Sequence, residues 1–197
     1  MNTQARKITK SDLLAPEVYA AERKQRRAAL MPVKRARRID VGPYCTFHFE
    51  NYDTMWLQVH EMLHIEKGGE AQIEDELSAY NPLIPQGHEL IATVMFEIDD
   101  PVRRAQLLLK LTNVEEKMYF EIAGERVMAD AEHDVDRTAA DGKTSSVHFL
   151  HFRFTPAQIA KFKDPAMPVI LGIEHENYSH MTRLSADARA ALAKDFA

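Results

Sequence analysis

The sequence predicts an α+β fold, with N-terminal helices followed by a mainly antiparallel β-sheet and short packing helices. Three observations carry this expectation. Apolar residues recur at three and four residues in the first third of the chain, the spacing of amphipathic helices. The stretches Tyr44–Glu50 and Ser145–Phe154 alternate with a period of two, as half-buried strands do. Beyond residue 88, strand-like runs follow one another with short links, which favours antiparallel neighbours. A chain of 197 residues with 45% apolar content is read as one domain. Its parts are a basic helical arm (1–38), a strand and helical hairpin (39–88), and a β-rich body ending in a helix (89–197).

Taken in order, Thr9 or Ser11 is placed to cap a first helix that runs to about Leu30, where Pro32 is expected to stop it. Cys45, Phe47 and Phe49 then mark the inner side of a strand. Asn51 or Asp53 caps the central helix, whose Met55, Val59, Met62 and Leu63 should face the core, with Trp56 beside them. Gly68-Gly69 is expected to end that helix and lead into an acidic one, Ala71–Tyr80. Asn81–Pro85 reads as a turn. Glu89–Ile98 is a central strand, and Asp99-Asp100-Pro101 opens a helix over Val102–Leu111. Lys117–Ala123 and Arg126–Glu132 form a hairpin turning at Gly124-Glu125, and Asp130–Lys143 is an exposed polar loop. Thr155-Pro156 starts a short helix to Phe162, Pro168–Glu174 is a strand, and His175–Arg183 contains a turn or edge. Ser185 caps the last helix.

The charge is divided unevenly. The net value is −5, yet residues 1–38 carry eleven Lys/Arg against three acids, a local +8 that leaves −13 on the remainder. Such a split fits an arm docking on an acidic surface, either of its own chain or of a partner, through Arg23, Arg26, Arg27, Arg35, Arg37 and Arg38. Nucleic-acid binding is the less favoured reading, because Tyr19 is the only aromatic residue of the segment and no base-reading motif accompanies it. A lone cysteine, Cys45, forms no internal disulfide, which makes a reducing cytoplasm the expectation. No apolar run approaches the length of a membrane span, and no secretory signal is read at the N-terminus.

Three constellations could carry chemistry. His60 and His64 stand at i, i+4 with Glu61 between them, the spacing of a metal-ligating helical pair. His148 and His151 lie in one strand. Being three apart they should face opposite sides, although either could meet His175 across neighbouring strands. The carboxylates Glu50, Glu61, Glu66, Glu74 and Glu76 gather in and around the hairpin. There Glu61 and Glu76 could approach one another, or pair with the arginines of the arm. Glu50, Glu61, His148 and His175 are the leading ligand candidates for iron, zinc or manganese, with His60, His64 and His151 behind them. No phosphate loop, nucleophile elbow or CxxC motif is present, and no substrate or reaction is identified.

The segments KITKSDLL, GPYCTFHFENYDTMWLQVHEML, ELSAYNPLIP, SSVHFLHFRF and LSADARAALAKD resemble, in that order, the bacterial domain-of-unknown-function family DUF3501. The resemblance implies an accessory role in redox or peroxide defence, since genes of that family neighbour those of rubrerythrin-like and iron–sulfur proteins. It also implies that His148 and His175 rank above the His60/His64 pair, because the family pattern has arginine at position 64. Two main expectations result. One is an accessory protein that docks a partner, such as a rubrerythrin-like or iron–sulfur protein, and that could also form a homodimer. The other is a metal-dependent protein or oxidoreductase.

Overall fold

The computed structural model describes residues 6–131 and 142–196. Most of the expected 130–143 loop therefore lies outside the described residues. A 3-10 turn at Lys10–Asp12 precedes helix α1, Pro16–Ala36, which leads into β1 (Arg38–Val41) and β2 (Cys45–Phe49). Helices α2 (Tyr52–Glu66) and α3 (Glu70–Tyr80) follow, then a 3-10 turn at Asn81–Leu83 and strand β3 (Glu89–Phe96). The second half holds α4 (Pro101–Lys110), β4 (Met118–Ile122), β5 (Glu125–Met128), the short β6 (Asp130–Ala131) and β7 (Val147–Arg153). It closes with α5 (Pro156–Lys163), β8 (Val169–His175), β9 (Tyr178–Arg183) and α6 (Ala186–Leu192).

Every strand pairing is antiparallel, and the strands form two sheets ordered β1-β2-β3-β7-β6 and β5-β4-β8-β9. The sheets share the larger core. Phe49 and Phe152 from the first meet Phe120 from the second, with ring centroids 5.6 and 4.9 Å apart. Alternation decides which side chains enter it: His148, Leu150 and Phe152 of β7 point inward, while Phe149 and His151 point to the opposite face. On that opposite face Ile91 and Phe149 pack against Met55 and Val59 of α2 and Leu77 of α3, forming a second, smaller core.

Two polar ties hold the layers in place. The Tyr178 hydroxyl accepts from the backbone N–H groups of Tyr44 and Cys45, each at 3.0 Å, and donates to the Val41 carbonyl at 2.8 Å. It thereby joins the β8–β9 hairpin to the β1–β2 turn. That turn needs Gly42, at φ 72°, because a Cβ there would stand 2.6 Å from the His180 ring. The second tie is Arg37, 3% exposed, whose guanidinium donates to the carbonyls of Phe49, Glu50 and Ala191 and forms a buried ion pair with Asp195. A buried pair is favourable only when its remaining donors are also used, as they are here.

The structure differs from the sequence expectations at four places. Helix α1 does not stop at Pro32 but continues to Ala36. Proline removes one backbone donor, yet Ala28, whose carbonyl loses it, lies on the exposed side where water can serve instead. The C-cap of α2 is Lys67 at φ 55°, not a glycine, and Gly69 instead begins α3 at φ 71°. The β4–β5 turn is Ala123-Gly124, both at positive φ, one residue earlier than expected. Finally, β1 is a full strand, and the expected single sheet is two.

Candidate functional site

The N-terminal arm meets the central helix at one polar junction. Asn51 caps α2, its side chain accepting from Thr54 N–H at 2.9 Å while Thr54 Oγ1 accepts from Asn51 N–H. This fixes the phase of α2, so that Trp56, His60, Glu61 and His64 all face α1. Tyr19 is the one α1 residue that is buried, at 2% exposure. Its hydroxyl donates to Glu61 Oε1 at 2.5 Å, and Arg23 grips the same carboxylate with two bonds of 2.8 and 2.7 Å. Arg27 lies 3.8 Å away. The Arg23 hydrogen bonds lower the Glu61 pKa to about 2, helped by Tyr19, while burial and the neighbouring carboxylate push the Tyr19 hydroxyl up.

His60 is 2% exposed and both its ring nitrogens are used. Nε2 accepts from Leu14 N–H at 3.0 Å, so Nδ1 carries the hydrogen and donates to the Trp56 carbonyl at 2.8 Å. Burial holds this imidazole below its ordinary pKa. The ring also stacks on Trp56 at 3.9 Å and on Tyr19 at 4.7 Å. Trp56 in turn donates from Nε1 to the Asp12 carbonyl at 2.8 Å and carries the Arg26 guanidinium 5.1 Å above its ring. Residues 12–14, which connect the first turn to α1, are thus pinned to α2 by two side chains.

The sequence-derived ligand candidates do not converge. Glu61 is saturated by Arg23 and Tyr19, and His60 has no lone pair left to offer. Glu50 accepts from Thr93 Oγ1 at 2.8 Å on the helix-covered face of the first sheet. His148 lies in the inter-sheet core, with Nε2 2.9 Å from the Ser145 carbonyl and Nδ1 3.7 Å from Glu115. His175 is held by the Thr112 carbonyl at 3.1 Å and by Asn177 N–H at 3.2 Å. His151 bonds Glu89 at 3.0 Å on the other side of β7 from His148, as the strand period requires. His64 packs edge-on against Tyr19. Among the described residues no group of three or more His, Cys, Asp or Glu side chains is gathered in a way that could hold a metal ion. Glu61 and Glu76 have separate partners, since Glu76 accepts from Gln72. Cys45 is 1% exposed and burial raises its pKa, which keeps the thiol protonated and unreactive.

The basic residues of the arm divide into two groups. Arg23, Arg26, Arg37 and Arg38, expected to dock on an acidic surface of the chain itself or of a partner, are engaged within the chain by Glu61, Glu22, Asp195 and the Asp40/Glu97 pair respectively. Lys24, Arg27, Lys34 and Arg35 are exposed. Of these, Arg27 still reaches the junction, 3.8 Å from Glu61, whereas Lys24, Lys34 and Arg35 have no carboxylate partner among the described residues; Met31 of the same helix is 53% exposed. Sequence reasoning listed the arginines without this division, and it missed Tyr19 and Lys24. The signal for Tyr19 was its spacing of three and four residues from Glu22 and Arg23, which marks the inner face.

The chain belongs to the family described as protein of unknown function DUF3501, which matches residues 7–196. It is similar in structure to a novel protein of unknown function from Burkholderia pseudomallei K96243, solved by crystallography. The two share 36% identity with a TM-score of 0.89, over 96% of this chain and 99% of that one. No curated protein matches the chain. Among the described residues no helix is long and apolar enough to cross a membrane.

Proposed function

We propose that the protein is an accessory factor that docks an acidic protein partner on the outward face of α1. The observation that supports this is the exposure of α1 itself. A helix of 21 residues buries only Tyr19, and its exposed residues include Lys24, Lys34 and Arg35 together with Met31. Lys24, Lys34 and Arg35 have no carboxylate partner among the described residues. The inner arginines hold the helix in place, which leaves the outer cations free for an intermolecular role. Charge of one sign on a rigid helix steers encounter with a surface of opposite sign, and an apolar residue at its centre supplies contact area. A protein is favoured over a nucleic acid because Tyr19, the one aromatic residue of α1, is buried at the junction and leaves no ring on the exposed ridge for a base to stack on.

The family resemblance supplies the partner class to try first, a rubrerythrin-like or iron–sulfur protein. The test is capture from a nuclease-treated native extract on immobilised protein over a series of salt concentrations. A discrete acidic protein retained at low salt and released as salt rises is expected. Retention only before nuclease treatment would transfer the reading to nucleic acid, and no retention at low salt would refute docking.

A further inference from the structure

A crevice of about 630 Å³ opens between α1 and α3, above α2. Its existence follows from the junction: the Tyr19–Glu61–Arg23 clamp sets α1 against α2 at fixed spacing, and α1 does not reach α3. The floor is closed by the buried Tyr19 and His60. The walls are Leu13, Leu14, Ala20, Leu63 and Ile73, and the four larger ones remain only half-buried. A volume of a few hundred cubic ångströms, mostly apolar with a few polar groups, is the usual form of a small-molecule site.

The polar lining decides the ligand class. The Tyr19 hydroxyl, the two nitrogens of His60 and the carboxylate of Glu70 already have partners, the last in Lys10. Among the described residues His64 and Lys67 have none and supply an imidazole and an ammonium group at one wall. Glu17, the remaining acid of the lining, stands exposed on the α1 wall and forms no ion pair with Lys67, which leaves that ammonium group available. Arg23 and Arg27, which could have formed the fork that a phosphate prefers, face Glu61 instead. One ammonium with one imidazole suits a single carboxylate.

We infer that the crevice binds an amphipathic monocarboxylate, its apolar chain on the leucine and isoleucine walls and its carboxylate at His64 and Lys67. The inference does not rest on partner docking, which uses residues further along α1, from Lys24 to Arg35, rather than its first turn at Pro16–Ala20. The protein carries its own reporter, because Trp56 is the only tryptophan and stacks on His60 at the crevice floor.

The experiment is a titration of the full chain, followed by Trp56 fluorescence, with octanoate, octan-1-ol and octylamine. Saturable binding of octanoate is expected, several-fold weaker binding of the alcohol, and the weakest for the amine. Lys67→Asn, which suits the left-handed backbone at that position, should reduce octanoate to the level of the alcohol. Ala20→Phe should fill the crevice and abolish all three responses. Octanoate should also raise the urea midpoint of the unmodified protein, which keeps the test decisive if Ala20→Phe fails to fold. No saturable response, equal affinity for alcohol or amine, or unchanged binding in Lys67→Asn would overturn the inference. So would sedimentation showing that the crevice is filled by a second copy of the chain.

Discussion

Replacing Glu61 by Gln removes one charge from the α1–α2 junction while keeping its shape, since the amide oxygen can still accept from Tyr19 and Arg23. The carboxylate titrates at about 2 rather than its ordinary 4.5, chiefly through the Arg23 hydrogen bonds. At full strength that difference corresponds to about 3 kcal/mol. The Arg23 side chain is 32% exposed and the pair meets solvent and salt, so we take about 1–2 kcal/mol as the effective loss. The sign follows from linkage. A carboxylate with a depressed folded pKa contributes stability that is present above 4.5 and is lost as pH falls towards about 2. Urea unfolding followed by Trp56 fluorescence should therefore show the unmodified protein losing more stability than Glu61→Gln between about pH 5 and about pH 2. At pH 7 the variant should be the weaker by the amount given above. Equal midpoints at pH 7 together with identical acid profiles would refute the clamp as the element that holds the arm.

Three other perturbations test neighbouring parts of the account. Asp195→Ala leaves the buried Arg37 guanidinium without its counter-charge and should cost about 3–5 kcal/mol, read from chemical denaturation. Gly172→Ala places a Cβ 2.5 Å from the Tyr119 ring in the middle of the second sheet, and should lower stability by about 1–3 kcal/mol in a thermal melt. His60 is buried neutral with a lowered pKa, so its contribution is complete above 6.5 and declines as pH falls below that value. His60→Ala should accordingly flatten the stability profile below about pH 6.5, while leaving the Leu14 N–H without its acceptor.

Much of the fold is legible in the sequence where a local rule and the tertiary environment agree. Asn51, Asp100, Thr155 and Ser185 each accept from the backbone N–H three residues on, the capping role that their positions before helical runs imply. The alternation in 145–154 marks a strand there, as β7 is, but leaves open which side is the core; the structure gives that side to Leu150 and Phe152. The failures have physical causes. Pro32 breaks a helix only where the orphaned carbonyl is buried, and α1 keeps it in solvent. The edge expected within 175–183 is β9, whose residues YSHMTR lack an alternating apolar pattern because the strand is exposed and takes its order from the β8 ladder. Nothing local marks Arg37 as the single buried member of the cluster Lys34–Arg38, because its role depends on Asp195, distant in sequence. The site was legible in part for the same reason. The helical spacing of His60, Glu61 and His64 correctly gives a shared face, but only the tertiary structure shows that α1 occupies it.

The most direct test of the docking account is a comparison of the unmodified protein with the triple variant Lys24→Glu, Lys34→Glu, Arg35→Glu in capture from the same native extract. Both would first be matched for helical content by circular dichroism. All three side chains are exposed and none belongs to the packed junction, so the fold should be retained. The account predicts that the acidic partner held by the unmodified protein is lost by the folded variant at every salt concentration. Undiminished capture by the variant would contradict it.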